Sequence, residues 1–194
     1  RILPLPWQDE RAAQVAKQAG AVLAGEGPWS LRPSSLVDIP ADTLLALPSP
    51  NGASLCVRAA ATGTRVLAGC LRNARFVAAH AIAAAGGRPV GVIAAGERWN
   101  VDGRPLRPSF EDFVGAGAII AAMRVQGGGK ASREALAAAS VALATDDPAA
   151  ALAECTSGQE LIGWGRPADV ALAGELDVSS AAPVLVDGVL VDVG

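Results

Sequence analysis

Histidine is almost missing from this chain. His80 is the only one among 194 residues, and it falls in the middle of an alanine-rich helical run. Histidine triads and histidine metal clusters are thereby excluded, and His80 reads as a packed or partly exposed helix residue. Lysine is nearly as scarce, with only Lys17 and Lys130, so arginine carries the positive charge. Any anion site must then rest on planar guanidinium groups and backbone N–H donors. With a net charge of -3 and no lysine–arginine run, the chain has no electrostatic footprint for nucleic acid. Its three cysteines, Cys56, Cys70 and Cys155, form no CxxC pair. They read as free thiols in a reducing compartment, which makes the cytoplasm the expected location. No apolar stretch approaches the roughly 20 residues that cross a bilayer, so no membrane partner is expected. Residues 1–5 also lack the long apolar region of a signal peptide.

Several phosphate-handling motifs are absent as well. No cysteine is followed by arginine at Cys-x5-Arg spacing, and there is neither an Asp-x-Asp nucleophile nor a GxxxxGK[ST] loop. Methionine occurs once, at Met123, and the chain opens on the apolar run Arg1-Ile2-Leu3. That opening reads as the inside of a domain, so an upstream strand-helix segment is expected to be missing from the sequence.

What is present is a buriable core. Hydrophobic residues make up 51% and charged residues 18%, which excludes disorder. A chain of this length buries roughly 70% of its unfolded surface without staples. Short apolar runs alternate with alanine-rich stretches, the pattern of βα units. The expectation is a single α/β domain over residues 1–194, three-layer α/β/α with a largely parallel sheet. Strands are expected at residues 1–5, 21–24, 44–47, 65–68 and 89–95. Helices are expected at 9–19, 52–61, 74–85, 110–124, 132–144, 148–154, 158–163 and 167–172. A loop spans 25–40 with a helical turn near 34–37, and a hairpin at 184–193 turns on Asp187-Gly188, a favoured type I′ pair.

Three strand-to-helix loops hold most of the polar chemistry. In LPSPNG at residues 47–52, the prolines stiffen the turn, Asn51 is placed to cap the helix, and Gly52 leaves first-turn N–H groups open to an anion. An ordinary rigid cap explains the same residues. One unit later, Arg72 and Asn73 stand at the carboxyl end of a strand, where ligands of open parallel sheets gather. Arg72 can grip a phosphate or sulfonate with two parallel bonds, or be a solvated arginine beside a capped helix. The third loop carries Glu97, then Glu111 and Asp112 at a helix start. Such oxygen ligands suit Mg²⁺, which uses one or two carboxylates and keeps several waters. Ser109-x-x-Asp112 is equally a capping box, and first-turn acids favour the helix dipole unaided. Gly115 and Gly117 in that helix each cost up to ~1 kcal/mol against alanine, which implies close packing or ligand approach. Ser157 and Glu160 read foremost as a further capping box, with an anion loop at Cys155–Glu160 as the other reading. Asp169 reads as a plain helix or turn residue.

Taken in order, LPSPNG, AGCLRNA at 68–74, IAAGERW at 93–99, and the Ser-x-Glu-Asp helix start followed by GAGA resemble the 2-phosphosulfolactate phosphatase family, the second enzyme type of coenzyme M biosynthesis. The Cys-x-Ser-Gly-x-x-Leu stretch at 155–161 and the closing Pro-Val-Leu run extend the resemblance over about residues 1–186. It implies a three-layer α/β fold and a Mg²⁺-dependent phosphomonoester hydrolase releasing phosphate from (R)-2-phospho-3-sulfolactate. It also implies that Asn51, Gly52, Arg72 and Asn73 bind the anionic substrate. Glu111 and Asp112, with Arg72, would be catalytic, and Asp112, Glu111 and Glu97 would be the metal carboxylates. The family's N-terminal Asp-Val-x-Arg-Ala strand has no counterpart here, and Gly96-Glu97-Arg98-Trp99 replaces its Gly-Thr-x-Gly form. These departures leave the substrate open between phosphosulfolactate and a related phosphorylated 2-hydroxy acid. They also keep a second reading in play, a non-catalytic anion-binding module with a degenerate site. Partners are expected to be small phosphorylated anions, with a homo-oligomer left open.

Overall fold

The alternation of apolar and alanine-rich stretches produces a mixed α/β chain, described by the computed structural model over residues 1–194. The strands are β1 (Ile2–Leu5), β2 (Val22–Leu23), β3 (Leu45–Pro48), β4 (Glu97–Arg98), β5 (Leu106–Arg107), β6 (Pro183–Val186) and β7 (Val189–Asp192). The helices are α1 (Glu10–Gln18), α2 (Gly52–Ala60), α3 (Ala74–Ala85), α4 (Phe110–Val125), α5 (Arg133–Leu143), α6 (Pro148–Glu154), α7 (Thr156–Gly163) and α8 (Pro167–Gly174). Short 3₁₀ turns occupy Pro33–Leu36 and Leu71–Asn73. The chain divides into two compact units, Arg1–Ala68 with Pro183–Val193, and Gly69–Ala182. No single helix is long and apolar enough to cross a membrane.

The first unit holds a five-stranded sheet in the order β2-β3-β1-β7-β6. Strands β2, β3 and β1 run parallel, with Ile2 and Val22 both in register with Leu45. The other two are antiparallel, β7 joining β1 at Ile2–Leu190 and β6 forming a hairpin with β7. Asp187 and Gly188 turn that hairpin at φ +48 and +82, the two positive angles a type I′ turn requires. Asp9 caps α1, its carboxylate accepting from the Arg11 N–H at 3.1 Å. Ala12 and Ala16, one turn apart, then face Leu5 and Ala46 of the sheet in one apolar cluster.

Two expected strands come out differently. Residues 65–68 make a single bridge, Leu67 to Val184, flanked by Leu185 N–H to Val66 O at 2.9 Å and Ala68 N–H to Pro183 O at 3.0 Å. Residues 89–95 join no sheet, and Ile93 is 69% exposed. Pro89 has no N–H to donate and Gly91 has no side chain to pack, so the run begins with two residues that weaken a ladder.

The second unit is helical, with the β4–β5 ribbon as its only paired strands. Leu71, Val114, Leu152 and Val170 form one buried cluster, and Ala74, Ala78 and Ile119 form another. Helices α4 and α5 approach closely at Gly117, where an added Cβ would run into the Ala138 carbonyl and the Ala142 methyl. Gly117 is therefore there for packing, as expected, whereas a Cβ at Gly115 would meet nothing.

Candidate functional site

A cleft of about 750 Å³ opens in the second unit where the ribbon feeds α4, bordered by Gly96, Ser109, Glu111, Asp112, Cys155 and Thr156. In the ribbon, Glu97 is in register with Arg107 and Arg98 with Leu106. The chain then runs extended through Ser109 (φ -122, ψ 98) into α4, whose first turn carries Glu111 and Asp112. The positive end of the helix dipole favours these carboxylates. Ser109 occupies the N-cap but makes no capping bond, so the capping box read from Ser109 and Asp112 does not form.

Glu111 is held from the opposite wall. The Ser157 hydroxyl donates to its Oε1 at 2.5 Å, and the Cys155 thiol lies 3.6 Å from its Oε2. That thiol has one proton and a second acceptor, the Leu152 carbonyl at 3.1 Å, while Sγ itself accepts from the Gly158 N–H at 3.4 Å. Cys155 is thus the cap of α7, and burial followed by the negative charge of Glu111 pushes its thiol pKa up. This is the environment of an inert thiol, not an activated nucleophile. Ser157 and Glu160, read from sequence foremost as a capping box, instead both turn to Arg107. Its Nη2 donates to Ser157 Oγ at 3.0 Å and to Glu160 Oε2 at 2.9 Å.

Arg107 is the residue that sequence reasoning missed. Its side chain is only 4% exposed, its guanidinium lies 5.5 Å from the Trp99 ring centre, and its Nη1 has no hydrogen-bond partner. The ribbon inverts the usual pattern, since Leu106 is 68% exposed while Arg107 is buried. Nothing in the local sequence reveals that inversion. The nearest signal is the position of Arg107, two residues before the cap of an acid-led helix.

Asp112 is the perturbed carboxyl of the cleft. Burial raises its pKa most, and the neighbouring Glu111 charge adds to the rise. The Gly96 N–H and the Ser109 hydroxyl oppose the shift, and Glu97 contributes a smaller increment in the same direction as Glu111. The structure therefore gathers Glu111 and Asp112 at one cleft, with Glu97 close enough to act on Asp112. No group of three or more histidine, cysteine or acidic side chains converges as a metal cage.

The remaining candidates lie elsewhere. Arg72 pairs with Glu175 and donates to the Leu172 carbonyl at 3.0 Å. Asn73 is buried, with Oδ1 accepting from the Cys70 N–H at 2.8 Å and Nδ2 donating to the Ala181 carbonyl at 3.0 Å. The carbonyls of Leu71 and Arg72 accept from Asp177 and Ser179 at 3.0 and 2.8 Å, so the whole turn is sewn to residues 177–181. Neither Arg72 nor Asn73 borders the cleft. Asn51 and Gly52 stand at the start of α2 in the first unit, and the Asn51 side chain makes no capping bond there. His80 sits inside α3, with Nδ1 3.0 Å from the Phe76 carbonyl of the preceding turn.

Among known proteins, the family model described as 2-phosphosulpholactate phosphatase matches residues 31–188 of the chain. No curated protein matches it.

Proposed function

This chain belongs to the 2-phosphosulpholactate phosphatase family, and we propose that it hydrolyses 2-phospho-3-sulfolactate or a related phosphorylated 2-hydroxy acid, with Mg²⁺ as cofactor, at the cleft of the second unit. The observation that carries this reading is the pair of adjacent carboxylates at the cleft. One is fixed by Ser157, and the other is pushed toward holding its proton by burial and by its neighbour.

The donor set fits a hydrated divalent cation. Magnesium takes one or two carboxylates alongside waters and substrate phosphate, so Asp112 and Glu111 suffice without an all-protein cage, and Glu97 adds negative charge nearby. Like-charge strain around Asp112 is what a bound cation relieves. When bound, Mg²⁺ supplies neutralisation of the phosphoryl oxygens. The chain's own groups do the rest. Glu111, clamped by Ser157, keeps one orientation toward the cleft and is placed to position an attacking water. Asp112, buried beside Glu111, is placed to hold the cation as an ionised carboxylate, and the departing 2-oxygen takes its proton from solvent. The N-terminal end of α4 contributes its dipole at the same point.

Phosphate release by Glu111→Gln and Asp112→Asn variants tests the assignment. Each is expected to lose at least ~100-fold in kcat, the ordinary contribution of a positioned base or of a carboxylate that holds the cation. Near-normal turnover in both would remove the cleft from the chemistry.

A further inference from the structure

Two buried polar atoms in the second unit make no hydrogen bond of good geometry, Arg107 Nη1 and Ser109 Oγ, the latter close enough to Asp112 to lower its pKa. They are two residues apart on the extended segment that leads into α4, and residues at that spacing project from one face of an extended chain. Ser109 and the two carboxyl-bearing residues that follow it border the cleft.

Arg107 is not a loosely placed side chain. Ser157 and Glu160 hold one edge of its fork through Nη2, and the guanidinium lies over the Trp99 ring, 5.5 Å from the ring centre. A guanidinium keeps its charge at any accessible pH and cannot shed the unmet proton. One Glu160 carboxylate therefore answers part of the fork and leaves the Nη1 N–H unanswered in a side chain 4% exposed. An unmet buried donor of a charged group is costly, and native chains keep few of them without a functional reason. The missing partner must be an acceptor, and an anionic oxygen is the strongest one for a guanidinium.

Resting on the phosphatase reading above, we infer that Arg107 Nη1 and Ser109 Oγ form the oxyanion subsite that takes a phosphoryl oxygen of the substrate. Arg107 is the buried guanidinium of the second unit, held in place with a donor to spare. Arg72, tied to Glu175 and the Leu172 carbonyl through Nη1 alone, is about a third exposed, so its other donors are open to water. The carboxylates at the cleft repel a bare phosphate, so the subsite works with a divalent cation present.

Calorimetric titration of the protein with inorganic phosphate in Mg²⁺ buffer tests this without turnover. Arg107→Lys keeps the charge but loses the fork, and is expected to weaken phosphate binding about tenfold or more. Ser109→Ala removes a hydroxyl whose one influence within the chain is on the Asp112 carboxyl, so it should leave the melting temperature nearly unchanged while weakening phosphate about threefold to tenfold. That combination is not what a purely structural serine gives. It decides the matter if Arg107→Lys fails to fold. Wild-type phosphate affinity in Ser109→Ala, or no phosphate binding by the wild-type protein, overturns the subsite. The two readings fail separately. Arg107-dependent phosphate binding with no ester hydrolysis removes the phosphatase reading alone, and hydrolysis with an unchanged KM in Arg107→Lys removes the subsite alone.

Discussion

Replacing Ser157 with alanine tests the internal logic of the cleft more sharply than any substitution of a carboxylate. Its hydroxyl gives its proton to Glu111 at 2.5 Å and takes one from Arg107 at 3.0 Å, so a single oxygen joins an anion to a cation. Hydrogen bonds to charged groups contribute about 1.5–3 kcal/mol each. The full sum is not lost. Glu111 lies at an open cleft where water can replace the donor, and Arg107 keeps Glu160 as a partner. Arg107 nevertheless already has Nη1 unmet, and losing the Ser157 acceptor leaves a buried cation on one carboxylate. A net loss of about 2–3 kcal/mol follows. At roughly 2–4 °C per kcal/mol for a chain of this size, the melting temperature should fall roughly 4–12 °C. The assay is urea unfolding followed by circular dichroism, run as a double-mutant cycle with Glu111→Gln. A coupling of about 1–2 kcal/mol is expected, and additivity within about 0.5 kcal/mol would refute the chain from Arg107 through Ser157 to Glu111.

Three further outcomes follow from the same geometry. Gly117→Ala should cost about 1–3 kcal/mol in urea unfolding by forcing α4 from α5, because a Cβ there meets the Ala138 carbonyl; an unchanged midpoint would contradict that contact. Folding raises the Asp112 pKa, so its favourable contribution is full below the unfolded carboxyl value of about 3.9 and is lost as pH climbs through the folded value. Asp112→Asn should then melt higher than wild type at pH 7 in chelator, converge with it near pH 3–4, and lose the wild-type rise in melting temperature on adding Mg²⁺; parallel pH profiles would contradict this. Arg72→Ala should lower stability by about 1–2 kcal/mol, since its ion pair is partly solvated and one backbone bond goes with it, while KM for the ester stays within about threefold. A tenfold rise in KM would place Arg72 in the substrate site.

The sequence and the structure agree best where local signals act alone. Each expected helix forms, with α3 and α6 at their expected bounds, because alanine-rich runs, prolines at first positions and terminal glycines act within a few residues. The β6–β7 hairpin follows from Asp187-Gly188 for the same reason. Expectations failed where the partner was distant. Residues 89–95 have the apolar run of a strand but no neighbouring strand to pair with. Ser157 and Glu160 carry capping-box spacing, yet α7 begins at Thr156 and both side chains answer Arg107, about fifty positions earlier. The acids of the cleft were legible from their place at a helix start after a polar loop. Arg107 was not, because its burial depends on the Leu106–Arg107 inversion and on residues from α7.

The most direct measurement is phosphate release from racemic 2-phospho-3-sulfolactate and from 2-phospholactate, each with Mg²⁺ and with chelator. Release from at least one ester that stops in chelator is expected, with the ratio of the two rates reporting whether the sulfonate is recognised. No release from either ester by folded protein in Mg²⁺, or release indifferent to chelator, would contradict that expectation.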